Sequence, residues 1–277
     1  MAISLDAQRV VEELRSARKY QHLCCDTLAR IADWAVARAS SEKDAIKRAK
    51  RKLHQISGAY PLSEFRRLAD VMSKTDFAKQ DLRSFCMSIL RMHTSTAERI
   101  DHMQDAFQRI LPRASRISRV LDLGGGLNAF ALPWMGLDPA AEYVHFDVDH
   151  QLTDIVNLFL QRIEHAGRSE CRDILTWPVT ESADVAFLLK VVPCLEQQRV
   201  GASLDILRTL QVPRAVVSFP TRSLGGRSHG MYEHYHRMLH QLTGKISASV
   251  EEWRYPTETY YVLNLDNSSR KETKDSQ

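Results

Sequence analysis

The chain has no apolar run approaching the roughly 18 residues that a membrane-crossing helix needs; its longest candidate, residues 185–192, is broken by Lys190. It also has no C-x-x-C pair. Its five cysteines, Cys24, Cys25, Cys86, Cys171 and Cys194, are odd in number, which argues against a disulfide framework and for reduced thiols in a cytoplasm. No basic stretch followed by an apolar one opens the sequence, so no secretion signal is read; Asp6, Glu12 and Glu13 alternate there with apolar residues at helical spacing. Internal repeats are missing too, as is a strong charge of one sign, with 38 Lys/Arg against 34 Asp/Glu in 277 residues. A membrane-spanning protein and a disulfide-stapled domain are thereby set aside, and one or two globular domains are expected.

The charge that is present lies unevenly. Residues 1–112 hold 20 Lys/Arg against 14 Asp/Glu, whereas residues 113–277 hold 18 against 20. A positive half suits a polyanion such as nucleic acid, or is a solvated surface. That half reads as helical: Val10, Val11 and Leu14, then Leu28, Ile31 and Ala35, then Ala45, Ala49, Leu53 and Ile56 recur at spacings of three and four. In residues 42–56 the opposite face carries Lys47, Arg48, Lys50, Arg51 and Lys52, five cations that are candidate RNA-phosphate contacts or an ordinary solvated face.

After residue 111 the pattern changes. Residues 118–123, 143–146, 185–189 and 215–219 are short apolar runs separated by helix-length segments, which implies a mostly parallel sheet covered on both faces. Residues 247–254 and 258–265, joined around Pro256, read as an antiparallel hairpin on one sheet edge. The expected organisation is an all-helical domain at 1–111, an α/β domain at 112–265 and a polar, disordered tail at 266–277.

The first apolar run ends in Val120-Leu121-Asp122-Leu123-Gly124-Gly125-Gly126. Glycines after a buried strand let the backbone approach a ligand closely, and Gly124, Gly126 and Ala129 fit the dinucleotide pattern G-x-G-x-x-A. Asp122 tilts the reading from a pyrophosphate to S-adenosylmethionine (SAM), since an acid suits a cationic amine and ill suits a phosphate. Asp147 ends the next strand and suits ribose hydroxyls; Asp173, after a further short strand, suits an adenine amino group. A nicotinamide-dependent oxidoreductase shares the glycines and Asp147 and stays open as an alternative.

Two further segments border the carboxyl ends of strands, where ligands of such sheets bind. Residues 190–196, Lys-Val-Val-Pro-Cys-Leu-Glu, contain no N-P-P-Y sequence, which speaks against common amino-group methylation. Cys194 is a candidate nucleophile for cytosine C5 chemistry or a small buried hydrophobe. Residues 218–227 form a glycine-hinged loop whose Arg222 and Arg227 suit phosphate or guanine. His236 and His240, one helical turn apart, are candidate metal ligands without an evident third, so no metal is expected.

Taken together, LHQISGAY at 53–60, HTSTAER at 93–99, DLGGGLN at 122–128, LLKVVPCLEQQ at 188–198 and FPTRSLGGRSHG at 219–230 resemble one family. It is that of the bacterial 16S ribosomal RNA methyltransferases that confer aminoglycoside resistance by modifying N7 of guanine 1405. The resemblance implies a Rossmann-like SAM domain with an N-terminal helical domain that docks on the 30S subunit, and a cytoplasmic monomer that needs no metal or membrane. It implies that His93, Thr94, Ser95 and Arg99 hold the methionine carboxylate of SAM, with Tyr60 nearby. Gly124, Asp147, Asp173, Ile174, Leu189 and Gln198 then line the rest of the cofactor pocket, while Lys190, Glu196 and Arg227 form the catalytic set that binds and positions the target. The sequence departs from the family at Gly125 and Ala129, where Cys and Pro are usual, which implies a more flexible loop here. A methyltransferase acting on a neighbouring adenine N1, and a non-catalytic ribosome-binding protein, remain as alternatives.

Overall fold

The computed structural model describes residues 5–57, 62–77, 81–111, 117–221 and 230–266. Tyr60, Arg222, Arg227 and the tail from 267 lie outside the described residues.

Three helices open the described chain: α1 (Leu5–Ser16), α2 (Cys25–Val36) and α3 (Glu42–Ser57). Helix α3 starts where Ser41 Oγ accepts the Asp44 amide at 3.3 Å and the Asp44 carboxylate accepts the Ser40 amide at 3.2 Å, an arrangement close to a capping box. The apolar positions read at spacings of three and four meet in a core of their own, formed by Val10, Leu14, Leu28, Ile31, Ala35, Ala45, Ala49 and Leu53.

The next helices behave differently. α4 (Leu62–Lys74), α5 (Leu82–Leu90), the short α6 (Thr94–Ala97) and α7 (Met103–Ile110) precede the first strand. Phe85, Ile89, Met103, Phe107 and Ile110 nevertheless pack in one cluster with Val120, Phe187 and Val216 of the sheet. The packed cores part between α3 and α4, ahead of the boundary expected at residue 111. A parallel sheet presents two apolar faces, and here helices from before its first strand cover part of one.

Seven strands form a single sheet among the described residues: β1 (Arg119–Leu123), β2 (Glu142–Asp147), β3 (Gly167–Cys171), β4 (Val185–Leu189), β5 (Arg214–Pro220), β6 (Ala248–Arg254) and β7 (Glu258–Leu265). Their order is β3-β2-β1-β4-β5-β7-β6. β1 to β5 run parallel, while β7 lies antiparallel between β5 and β6, with Val217 opposite Tyr261 and Tyr261 opposite Glu252. β4 is apolar throughout and buried on both faces, as a central parallel strand should be. Edge strand β6 carries Glu251, Glu252 and Arg254, charges that discourage pairing with another chain.

One face is covered by α4, α5, α7, α8 (Leu132–Met135) and α9 (His150–Arg162). The other lies under α10 (Val192–Gln198), α11 (Ala202–Thr209) and α12 (Met231–Thr243). The expected α/β sheet with an antiparallel C-terminal pair is thus present. Strand order reverses between β1 and β4, and a crevice opens at such a point beyond the carboxyl ends of the strands. The three-helix unit reaches that edge: the Cys24 amide donates to the Val148 carbonyl at 2.7 Å, and buried His22 Nε2 lies 3.2 Å from Asp149 Oδ2.

Candidate active site

The glycine turn after β1 needs glycine for two different reasons. Gly124 and Gly126 have φ of +65° and +53°, the left-handed region, and a Cβ at Gly124 would sit 2.6 Å from Val191 Cγ2. Gly125 has an ordinary φ of −67°, so space and not conformation fixes it: a Cβ there would lie 2.4 Å from Asp122 Oδ2 and 2.5 Å from His145 Cδ2. His145 is fully buried, with Nδ1 2.7 Å from Ser169 Oγ and Nε2 3.0 Å from the Gly126 carbonyl. The turn expected to be looser at Gly125 and Ala129 is closely packed. An imidazole fills the room beside Gly125, Ala129 is wholly buried, and the turn is pinned from β2 and β3.

Asp122 is also wholly buried. Its Oδ2 accepts from Asn128 Nδ2 at 3.0 Å and from the Tyr143 hydroxyl, while Oδ1 has no hydrogen-bond partner among the described residues. Burial, reinforced by Asp122, raises the pKa of the Tyr143 phenol well above its ordinary value and keeps it a donor. Asp147 is oriented by three amides, those of Gly126 at 3.1 Å, Val148 at 2.7 Å and Asp149 at 3.2 Å. Burial raises its pKa above the usual carboxylate range.

At one end of the crevice the structure gathers a dense charge cluster. Arg99, 3% exposed, donates through Nε and Nη2 to the two oxygens of Glu258 at 3.0 and 2.8 Å, and through Nη1 to Asn128 Oδ1 at 2.7 Å. Lys190 Nζ donates to Glu98 Oε2 at 2.8 Å and to the Ser95 carbonyl at 3.1 Å, and lies 3.5 Å from Glu258. Its backbone has φ of +57°, unusual for a residue other than glycine, and strain of this kind clusters at functional sites. His93 and Ser95 pair at 2.7 Å at the start of α6, next to Thr94; burial, aided by Lys190, pushes the His93 ring down to about 4. Of the expected methionine-end residues, Arg99 reaches the glycine turn through Asn128, while His93 pairs with Ser95, whose carbonyl accepts from Lys190.

The other end joins Asp173 to the three-helix unit. Asp173 Oδ2 accepts from Thr27 Oγ1 and from Arg30 Nε, both at 2.9 Å, and Arg30 Nη2 reaches Gln198 Oε1 at 2.5 Å. Ile174 is buried nearby in the core on one face of the sheet, and Leu189, also buried, belongs to the core on the other. Glu196 does something else. Its two oxygens accept the amides of Gly201 and Ser203, both at 2.8 Å, so its carboxylate caps the start of α11 instead of joining Lys190.

Of the five basic-face residues of α3, three already have protein partners. Arg48 pairs with Asp44 at 2.8 Å, Lys50 with Glu13 at 2.9 Å, and Lys52 donates to the Gln197 carbonyl and lies 4.8 Å over Trp34; Lys47 and Arg51 are exposed. Of the two readings of Cys194, the structure favours the small hydrophobe: burial raises the pKa of its thiol, the opposite of an activated nucleophile. His236 and His240 face each other at 3.0 Å beside Glu252, yet among the described residues no three His, Cys, Asp or Glu side chains form a metal-holding group. Sequence reasoning missed Glu258, Asn128, Thr27 and Arg30. Glu258 left one signal, an acid opening the otherwise apolar run ETYYVLNL.

Comparison with known proteins agrees with this geometry. The model of the family described as ribosomal RNA methyltransferase (FmrO) matches residues 15–262. A 16S rRNA (guanine(1405)-N(7))-methyltransferase of Micromonospora echinospora is 33% identical over 261 residues, covering 92% of this chain and 95% of that protein. One of the same description from Serratia marcescens is 34% identical over 221 residues, 79% of this chain and 83% of the relative. Among solved structures, the 16S rRNA methyltransferase RmtF in complex with S-adenosyl-L-homocysteine superposes with a TM-score of 0.83 at 28% identity, covering 96% of this chain and 100% of that one. The chain belongs to the ribosomal RNA methyltransferase (FmrO) family.

Proposed function

We propose that this protein methylates N7 of guanine 1405 in 16S rRNA, with SAM as the methyl donor, and so confers aminoglycoside resistance. One observation carries the reading: relatives matched over most of their length bear that activity in their names; contacts of Arg99 with Asn128 and of Lys190 with Ser95 and Glu98, from three of the blocks shared with that family, support it.

The residues present fit the cofactor. Buried Asp122 Oδ1, an acceptor without a partner, suits a cationic amine, and Asp147, held by three amides, suits ribose hydroxyls. His93, Thr94, Ser95 and Arg99 would hold the methionine carboxylate, and Gly124, Asp173, Ile174, Leu189 and Gln198 the rest. Bound SAM supplies an electrophilic methyl group on a sulfonium. Guanine N7 carries an in-plane lone pair, so no proton has to leave before attack and the protein's task is alignment and exclusion of water. N7 faces the deep groove of A-form RNA, so the base is read as flipped out to reach Lys190, with Arg222 and Arg227 gripping the displaced nucleotide. The three-helix unit is read as the docking element on the 30S subunit, through exposed Lys47 and Arg51.

Incubating 30S subunits with the protein and methyl-tritiated SAM, then mapping 16S rRNA by primer extension after cleavage at N7-methylguanine, tests the proposal. Label at guanine 1405 and raised gentamicin and kanamycin tolerance in expressing cells are expected. Modification at a neighbouring adenine, or binding without transfer, overturns it.

A further inference from the structure

We infer that Arg30, on α2 of the three-helix unit, is a positioning residue for the cofactor, acting through Asp173 and Gln198. The inference rests on the placement of those two residues in the SAM pocket. Thr27 and Arg30 are three residues apart and so share a face of α2. Both donate to Asp173 Oδ2 at 2.9 Å, and Arg30 Nη2 also lies 2.8 Å from that oxygen. The Asp173 side chain is 2% exposed and that of Arg30 24%, so this pair is held largely out of water.

A carboxylate has about four acceptor positions. With Oδ2 taken by Thr27 and Arg30, rotation about the Cβ–Cγ bond is blocked. Among the described residues Oδ1 has one protein donor, the Leu175 amide at 2.9 Å, so Oδ1 keeps acceptor capacity suited to the exocyclic amine of adenine. The same guanidinium fixes the Gln198 side-chain carbonyl at 2.5 Å and thereby orients the amide group at the end of α10.

Two more contacts bind the unit to this edge. Trp177, two residues beyond Leu175, donates from Nε1 to Asp26 Oδ2 at 2.9 Å in the first turn of α2. Lys52 of α3 donates to the carbonyl of Gln197, the neighbour of Gln198. The basic helix and the adenine end of the pocket are consequently one connected structure. Thr27 and Arg30 come from a unit with its own core, so the cofactor pocket is complete only when that unit is seated against the sheet.

Steady-state kinetics on 30S subunits, with SAM varied, test the inference in Arg30→Met, Arg30→Lys and Asp173→Asn. Arg30→Met is expected to raise KM for SAM about tenfold, with kcat lowered less than threefold. Arg30→Lys keeps the charge facing Asp173 but cannot also fork to Gln198, and is expected to fall between; it carries the test if Arg30→Met does not fold. A purely structural role would instead lower kcat and the melting temperature and leave KM alone. If Asp173→Asn raises KM while both Arg30 variants stay within twofold of the parent, the inference fails and the pocket assignment stands. If Asp173→Asn leaves KM unchanged, the pocket assignment fails and takes the inference with it.

Discussion

The two ends of the crevice are built on different plans. At the end proposed for the methionine of SAM, Arg99, Glu258, Lys190 and Asn128 form a buried polar cluster drawn from the body of the sheet and the helices packed on it. At the end proposed for its adenine, Asp173 and Gln198 are held by Thr27 and Arg30, which belong to a unit with a separate core. The first arrangement ties the site to global stability, because its charges are compensated only in the folded sheet. The second ties it to how one unit sits on another. Substitutions at the first end should therefore cost folding and binding together, and those at the second should cost binding with little folding.

The largest effect is expected at Glu258. Removing it in Glu258→Ala leaves Arg99 buried and uncompensated, at a cost of about 3–5 kcal/mol in urea unfolding at neutral pH. Burial alone would raise the pKa of this carboxyl, but Arg99 and Lys190 outweigh it and hold it below its ordinary value. Its ionised form thus stabilises the fold fully above the unfolded value of about 4.3, and the contribution disappears as pH falls through the lower folded value. Glu258→Gln should flatten that acid limb of the stability profile. An unchanged limb would mean that the cluster is not what couples this end to folding.

A smaller effect is expected where the ends meet, at the glycine turn. Gly125→Cys restores the residue usual in the family, yet its Cβ would strike Asp122 and His145 at 2.4 and 2.5 Å. Overpacking of this kind costs about 1–3 kcal/mol and should weaken SAM binding measured by calorimetry. Adding His145→Ala should recover part of both losses. If the pair is additive, the imidazole does not occupy the space in question. SAM affinity should also fall on acidification from a higher pH than an ordinary carboxylate would give, because burial raises the pKa of Asp147 and its protonation removes an acceptor. Asp147→Asn should bind weakly with no such pH dependence.

The contrast between the two ends also explains what could be read from the chain. The glycine turn was legible because strand, acid and glycines are contiguous, so local chemistry and local geometry coincide. The alternating apolar runs gave the sheet, and with it the placement of Asp147 at the end of β2 and Asp173 just after β3. Arg99 was legible as a functional residue through its motif, but not its partner, since Glu258 lies 159 residues away and no local pattern links them. The same holds for Arg30 and Asp173, 143 residues apart. Which helices share the sheet's core was not legible for a related reason: α4 to α7 carry the same helical period as α1 to α3, and periodicity reports an apolar face without saying what covers it. The partners of the basic face of α3 were not legible either, because Glu13, on another helix, and the Gln197 carbonyl are acceptors that only the fold brings near.

That last point yields the smallest and most discriminating prediction. If α3 docks on RNA, its cations should not contribute equally. Lys47 and Arg51 are exposed, so each is available to neutralise a phosphate; losing one such contact lowers the slope of log affinity against log salt by about one unit. Lys50 lies 2.9 Å from Glu13 and half-buried, so Lys50→Ala removes a charge that is already compensated and should change the slope little. Filter binding of 30S subunits across a salt series separates these variants. Equal losses at Lys47, Lys50 and Arg51 would show that the ion pair opens on docking. Lys52→Ala should behave differently from all three, because its amine holds α10 next to Gln198: it should weaken SAM binding slightly while leaving the salt slope unchanged. A changed slope with unchanged SAM affinity at Lys52 would place that residue on the RNA face and cut the connection between the basic helix and the adenine end.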